Sequence, residues 1–334
     1  MLCKLPSSQQ QFFKLVRKDS KKIEGKEPIF LLAQLKNERI LLPYFFKYYD
    51  ALGITDFIIV DNCSTDGSYE YLLSAKYNIK LYRTNENYAK NEKTRVWTNK
   101  LLLRHCKNKY CLVVDIDEIF MFKEQFDMKN PKRTNPSYLE RVIKYMKTND
   151  INYIKTLMVD MYPEEINNSY REGMPFIEHS QYYDKYNDNY NILTGKYTDL
   201  EILGGARLRL YGTNGWIMKT PVFKFDFFRD YLINAGCHQF RKINKYSKRG
   251  TIRTDGQYYP LFHFKYIKHD IKKVWENHIK NKVHYNNSVH YKEYCDNFKN
   301  KLTDPLLSVG FKNLEKLKID LLNSIAENTK KTIR

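Results

Sequence analysis

Three short runs of this sequence are almost wholly apolar and then stop in polar clusters. Ile29–Leu35 (IFLLAQL) leads into Asn37-Glu38, Phe57–Val60 (FIIV) into Asp61-Asn62, and Cys111–Val114 (CLVV) into Asp115-Ile116-Asp117-Glu118. Apolar runs without a polar alternate face read as strands buried on both sides. Between the first two, ILLPYFFKYYDAL has helical periodicity and is closed by Gly53. Tyr69–Ala75 reads as a second helix, Ile79–Tyr82 as a short strand, and Lys90–Cys106 as a long helix. Strands and helices in strict alternation make an α/β fold, with a mixed, mainly parallel sheet flanked by helices.

The stretch CLVVDIDEIFMF (Cys111–Phe122) carries three carboxylates within four positions of an apolar segment. Crowded carboxylates repel one another and lose hydration, so a positive charge should offset them. A metal ion is the first candidate, because Asp115 and Asp117 lie on one face of an extended segment. A strand-end turn whose acids cap a following helix is the other reading of the same spacing. Ligands of open parallel sheets sit beyond the C-terminal strand ends, and all three polar clusters fall at such ends. Carboxylates there suit a divalent cation and a nucleoside diphosphate, and hard oxygen ligands imply Mn²⁺ or Mg²⁺.

At 334 residues and 42% hydrophobic, the chain is large enough for a real core. No apolar stretch approaches the ~20 residues that span a bilayer, and the N-terminus lacks signal-peptide features. Cys3, Cys63, Cys106, Cys111, Cys237 and Cys295 form no C-x-x-C pair, so free thiols and a cytoplasmic location are expected. The net charge of +19 points to an anionic partner: a phosphorylated substrate, or an anionic membrane face on which the protein sits peripherally. No nucleic-acid motif accompanies that charge, and no nucleic-acid partner is expected.

The order of motifs in QLKNERILLPYFFKYYDALGITDFIIVDNCSTDGSYEYL and CLVVDIDEIF resembles GT-A glycosyltransferases of the family 2 type, in particular the bacterial surface-glycan branch with family 92-like enzymes. The match spans residues 29–125. It implies a GT-A, Rossmann-like fold in which Asn37, Glu38, Asp61, Asn62 and Ser64 hold the nucleotide. Asp115 would address the ribose or sugar and, with Asp117, the metal; Asp66-Gly67 would shape the turn. Fainter matches follow at VDMYP (159–163), GGARLR (204–209), MKTPV (218–222) and HFKY (263–266), with Ala206 where the branch has proline. They imply that Arg207 and Arg209 meet the diphosphate and that His263, as a neutral imidazole, completes the metal site. Asp160 is the first choice for the base that deprotonates the acceptor, with His238 and Glu201 as fallbacks.

Four regions follow: a basic extension (1–28), a nucleotide-sugar-binding half (29–155), an acceptor and catalytic half (156–266), and a basic helical C-terminal region (267–334). In the second half Tyr138–Lys147 reads as a helix, and Tyr153–Asp160, Leu208–Tyr211, Val222–Phe228 and Leu261–Tyr266 as strands. Residues 163–200 read as a polar loop. From Ile271 to Ile279 the apolar residues fall at helical spacing. The function expected is metal-dependent, inverting transfer of a sugar from a nucleotide-sugar donor to a glycan or lipid-linked glycan in surface polysaccharide synthesis. A non-catalytic sugar- or nucleic-acid-binding protein is the alternative.

Overall fold

Phe30–Leu35 is the strand on which the sheet is assembled, since every inward and outward side chain along it is apolar except Gln34. The computed structural model describes residues 14–19, 27–86, 93–193, 201–226, 231–233, 237–238, 240–242, 252–281 and 288–333. The chain runs through β1 (Lys14–Lys18), β2 (Phe30–Leu35), α1 (Leu42–Leu52), β3 (Asp56–Asp61), α2 (Ser68–Ser74), β4 (Ile79–Arg83), α3 (Lys93–His105), β5 (Lys109–Val113) and β6 (Glu118–Phe120). Next come α4 (Tyr138–Thr148), β7 (Tyr153–Asp160), α5 (Phe176–His179), β8 (Tyr182–Asp184), β9 (Tyr190–Leu193), β10 (Glu201–Gly204) and α6 (Ala206–Tyr211). They are followed by β11 (Met218–Phe225), β12 (Tyr231–Ile233), β13 (Phe240–Lys242) and β14 (Tyr258–His263). The last part holds α7 (Ile271–Asn281), α8 (Val289–Asp296), β15 (Ser308–Gly310), α9 (Leu314–Leu317), a π-helical turn (Lys318–Leu322) and α10 (Asn323–Ile333).

Nine strands form one sheet in the order β1-β4-β3-β2-β5-β11-β7-β14-β6. β4, β3, β2 and β5 are mutually parallel. β11 is antiparallel to both β5 and β7, which therefore point the same way, and β14 is parallel to β7. Six strands thus share a direction, and only β1, β11 and β6 oppose it. The fold is mixed α/β with a mainly parallel sheet flanked by helices, and the C-terminal ends of all six strands emerge along one edge.

Helix α1 shows how that edge is fixed. It ends at Gly53, whose φ of 113° lies in the left-handed region that closes helices. Its face against the sheet carries Tyr44, Tyr48 and Tyr49, all fully buried. Tyr49 donates to the Glu118 carbonyl at 2.8 Å and accepts from the Phe120 amide at 3.2 Å, while Tyr48 donates to the Phe120 carbonyl at 2.8 Å. Each buried hydroxyl so satisfied contributes about 1 kcal/mol net and would cost more than that unpaired. The effect is to hold the short strand β6 to the helix.

Several elements differ from the sequence reading. The extended segment expected to carry Asp115 and Asp117 is broken: β5 ends at Val113, the acids form a turn, and β6 pairs at the far edge of the sheet with β14. Leu208–Tyr211 belongs to helix α6 rather than a strand. Gly204 (φ 91°) sits where a Cβ would come within 2.1 Å of the Asn189 carbonyl oxygen, and Gly212 (φ 73°) closes the helix. The polar stretch 163–200 contains α5, β8 and β9, and part of the supposed extension joins the sheet as β1. Arg17 pins β1 through the carbonyls of Leu72, Ala75 and Tyr77. The expected helix start at Lys90, the strand end at Phe228 and Cys3 lie outside the described residues. The other five cysteines are free thiols, and among the described residues no helix is long and apolar enough to cross a membrane.

Candidate active site at the strand ends

The loops after β2 and β3 are zipped together by side chains of the DNCSTDGS segment. Ser64 Oγ accepts from the Asn37 amide at 2.9 Å, Ser68 Oγ from the Glu38 amide at 3.0 Å, and Asp66 Oδ2 from the Arg39 amide at 2.9 Å. In return Asn37 Oδ1 accepts from the Thr65 amide at 2.8 Å. Asp61 is fully buried, accepting from the Ser64 amide and lying 3.4 Å from Arg83 Nε. Asn62 donates to the carbonyls of Thr84 and Glu86. Asp61, Asn62, Ser64 and Asp66 therefore shape the turn. Asn37 and Glu38 are the members of this group that face a cavity, and neither side chain caps α1.

That cavity measures about 520 Å³ and opens along the shared strand edge. Its floor is Asp115, Asp117, Glu118, Lys219, Arg207 and His263, and one wall is Asn37 and Glu38. Lys265 and, from the C-terminal region, Lys268, Asn277, His278 and Tyr291 also line it. His238 and Trp216 complete it.

The charge that offsets the acid cluster is Lys219. Its ammonium donates to Asp115 Oδ2 at 2.8 Å and to Glu118 Oε1, and it is 5% exposed. A β-bulge aims it there. Lys219 opposes Thr156 and Val222 opposes Ile154, so Thr220 and Pro221 together face one residue of β7. Bulges re-aim side chains near sites, and a proline, lacking an N–H, fits at such a break in the ladder. Burial alone would lower the Lys219 pKa, but the Asp115 and Glu118 carboxylates hold it above the usual lysine value. The sequence reading did not name Lys219 as a site residue. Its signal was its place inside MKTPV (218–222), one of the fainter family matches, to which no role was attached.

A second charge chain crosses the floor. Arg207 grips Asp160 with two nitrogens, Nε to Oδ2 at 2.8 Å and Nη2 to Oδ1 at 2.6 Å. His263 Nδ1 donates to Asp160 Oδ1 at 2.6 Å, while its Nε2 faces Asp117 at 3.6 Å. The register of the sheet makes this possible, since His263 pairs with Asp160 on one side and Glu118 on the other. Burial would lower the His263 pKa, but Asp117 and Asp160 raise it to about 9. Burial would likewise raise Asp117 and Asp160, and the cations beside them, His263 for Asp117 and Arg207 for Asp160, hold both well below the usual carboxylate range. Asp160 does not line the cavity, and both its oxygens are taken, so it positions His263. Glu38 pairs with Lys268 at 2.5 Å, yet burial pushes its pKa up to about 7.

The remaining candidates fall elsewhere. Arg209 lies away from the cavity, with Nε and Nη2 on Asp184 at 2.8 and 2.9 Å and Nη2 also on the Leu302 carbonyl. Glu201 begins β10 and does not line the cavity. His238 does line it, donating through Nδ1 to the Met218 carbonyl at 2.6 Å; burial, then the nearby Lys219 charge, lowers its pKa to about 4.

The trio expected to hold an ion is not assembled as one. Asp115 is engaged by Lys219, and both ring nitrogens of His263 face carboxylates, Nδ1 on Asp160 at 2.6 Å and Nε2 toward Asp117 at 3.6 Å. Among the described residues no three His, Cys, Asp or Glu side chains converge as a metal-binding group. The residues as arranged do not fit the expected ion.

No family model and no curated protein matches the chain. Among solved structures, HddC from Yersinia pseudotuberculosis is 9% identical, with a TM-score of 0.31 over 71% of this chain and 90% of that one. S. aureus TarS 1–349 in complex with UDP is 14% identical, with a TM-score of 0.26 over 41% of this chain and 36% of that one. UDP-glucose pyrophosphorylase from Acinetobacter baumanii is 11% identical, with a TM-score of 0.27 over 43% and 60%. At these TM-scores none of them bears on what the site does.

Proposed function

We propose that this chain is a glycosyltransferase that moves a sugar, with inversion, from a nucleotide-sugar donor to a glycan or lipid-linked glycan acceptor. The observation that carries the reading is the cavity itself. Six co-directional strands end along one edge, and the loops after β2 and β5 bring Asn37, Glu38, Asp115 and Asp117 to a single space of about 520 Å³. Sites of open α/β sheets form at such edges, and the volume falls within the range of small-ligand pockets. Arg207, Lys219, Lys265 and Lys268 line the same space and suit the phosphates of such a donor. The surplus of cations over the whole chain suits an acceptor presented at an anionic membrane face.

The reading is tested with a thermal-shift panel of nucleotide sugars, followed by an assay for nucleoside diphosphate release in the presence of glycan acceptors. One donor class is expected to stabilise the fold saturably, by about 2.7 kcal/mol at a hundredfold excess over Kd. No stabilisation by any nucleotide sugar would remove the proposal.

A further inference from the structure

We infer that Lys219 is the cation that receives the donor's diphosphate, so that nucleotide binding proceeds without a divalent ion. The inference rests on the nucleotide-sugar reading above and deepens it.

Three observations carry it. First, the acids do not stand unpaired: Asp115 and Glu118 share one ammonium, Asp117 faces His263, and Glu38 holds Lys268. Second, the pairing is built into the backbone. The bulge at Thr220-Pro221 and the bond from Thr156 Oγ1 to the Lys219 carbonyl at 3.1 Å fix the strand from which the ammonium projects. Third, an ammonium has three donors, and Asp115 and Glu118 use two. The third is available to a ligand oxygen in the cavity that Lys219 lines.

Charge counting agrees. The lining holds four carboxylates (Glu38, Asp115, Asp117, Glu118) and five cations (Lys36, Arg207, Lys219, Lys265, Lys268). Arg207 is spent on Asp160 just outside the lining, so four lysines face four carboxylates and the acids need no added ion to balance them. Bringing a divalent ion between Asp115 and Asp117 would place it against the Lys219 ammonium, two cations within a few ångströms in a partly buried site.

The experiment is calorimetric titration of the full chain with uridine, guanosine, cytidine and thymidine diphosphates, in excess chelator and again with Mn²⁺ or Mg²⁺. The expected result is that at least one nucleotide binds in chelator and gains less than about threefold from either ion. Lys219→Met should weaken chelator binding about 10- to 100-fold, the loss of one charge-assisted hydrogen bond, and Lys219→Arg should retain most of it. Lys219→Met leaves two carboxylates unpaired, so Glu118→Gln/Lys219→Met is the companion variant that keeps the site foldable. Binding by the unaltered protein only when an ion is present overturns the inference while leaving the glycosyltransferase reading intact. Unchanged chelator binding in the double variant overturns it too. Absence of nucleotide binding under every condition removes the functional reading, and the inference with it.

Discussion

Arg207 and Arg209 stand two residues apart on one short helix, and each grips an aspartate with two nitrogens. Their consequences differ. Successive helical residues turn by about 100°, so the two side chains leave α6 on nearly opposite sides. Arg207 reaches Asp160 and, through it, His263 and the cavity. Arg209 reaches Asp184, the Tyr162 hydroxyl and the Leu302 carbonyl, tying the C-terminal chain to the sheet. Had the strand expected at 208–211 extended back through Arg207, both would have shared one face, and both would have met the diphosphate. The backbone period, and not the residue type, decides which arginine belongs to the site.

Removing each arginine separates the two roles. Arg207→Ala leaves the Asp160 carboxylate buried without its cation, and losing one partner of a buried pair costs about 3–5 kcal/mol. Nucleotide binding and transfer should fall with it, because Arg207 lines the cavity and holds the Asp160 carboxylate that positions His263. Arg209→Ala should cost somewhat less, about 3 kcal/mol, since its pair is partly exposed. Its nucleotide affinity should stay within about twofold of the unaltered protein. Chemical denaturation and calorimetric titration on both variants make the comparison. Equal losses of affinity would erase the distinction between the two arginines.

The same contrast gauges what the sequence disclosed. β2 and β3 were legible because they are short, almost wholly apolar runs that stop in polar clusters, and α1 because its periodicity ends at a glycine. Asn37, Asp115 and Asp117 were correctly brought to one edge, since parallel strands leave no other place for them. Helix α6 was hidden because it is short and its start depends on Gly204 and Gly205 adopting positive φ, which composition does not reveal. Asp61 and Asn62 read as ligands, and their bonds within the turn were not legible because a buried turn and a binding loop use the same polar residues. Lys219 lay inside the MKTPV match but was given no role for a different reason: the bulge that aims one lysine of 57 Lys and Arg inward leaves no mark in the sequence.

A titration sharpens the comparison further, because the Arg207 network contains an imidazole and the Arg209 network does not. The His263 pKa is raised to about 9 in the fold against 6.5 unfolded. The native state therefore keeps a proton that the unfolded chain has released between those values. This contribution is complete below about pH 6.5 and is lost as pH rises through about 9. Unfolding free energy should fall across that window with a slope approaching about 1.4 kcal/mol per pH unit, the value for one proton. His263→Gln should flatten the slope, while Arg209→Ala should leave it in place. A slope that survives in His263→Gln would assign it to another group and separate His263 from the charge chain.

The smallest effect concerns the strand that carries Lys219. Thr156 is fully buried in β7 and donates its hydroxyl to the Lys219 carbonyl at 3.1 Å. Thr156→Val keeps the β-branched shape that suits a strand but deletes that bond, and a lost buried hydrogen bond costs about 1 kcal/mol. Denaturant midpoints should register that loss without a change in slope. Nucleotide affinity should fall by less than about threefold, because the Lys219 ammonium is still held by Asp115 and Glu118 at its far end. A side chain anchored at its tip tolerates a loosened backbone better than one anchored only at its root. If affinity instead dropped tenfold or more, the bulge rather than the ion pairs would be what aims the ammonium into the cavity.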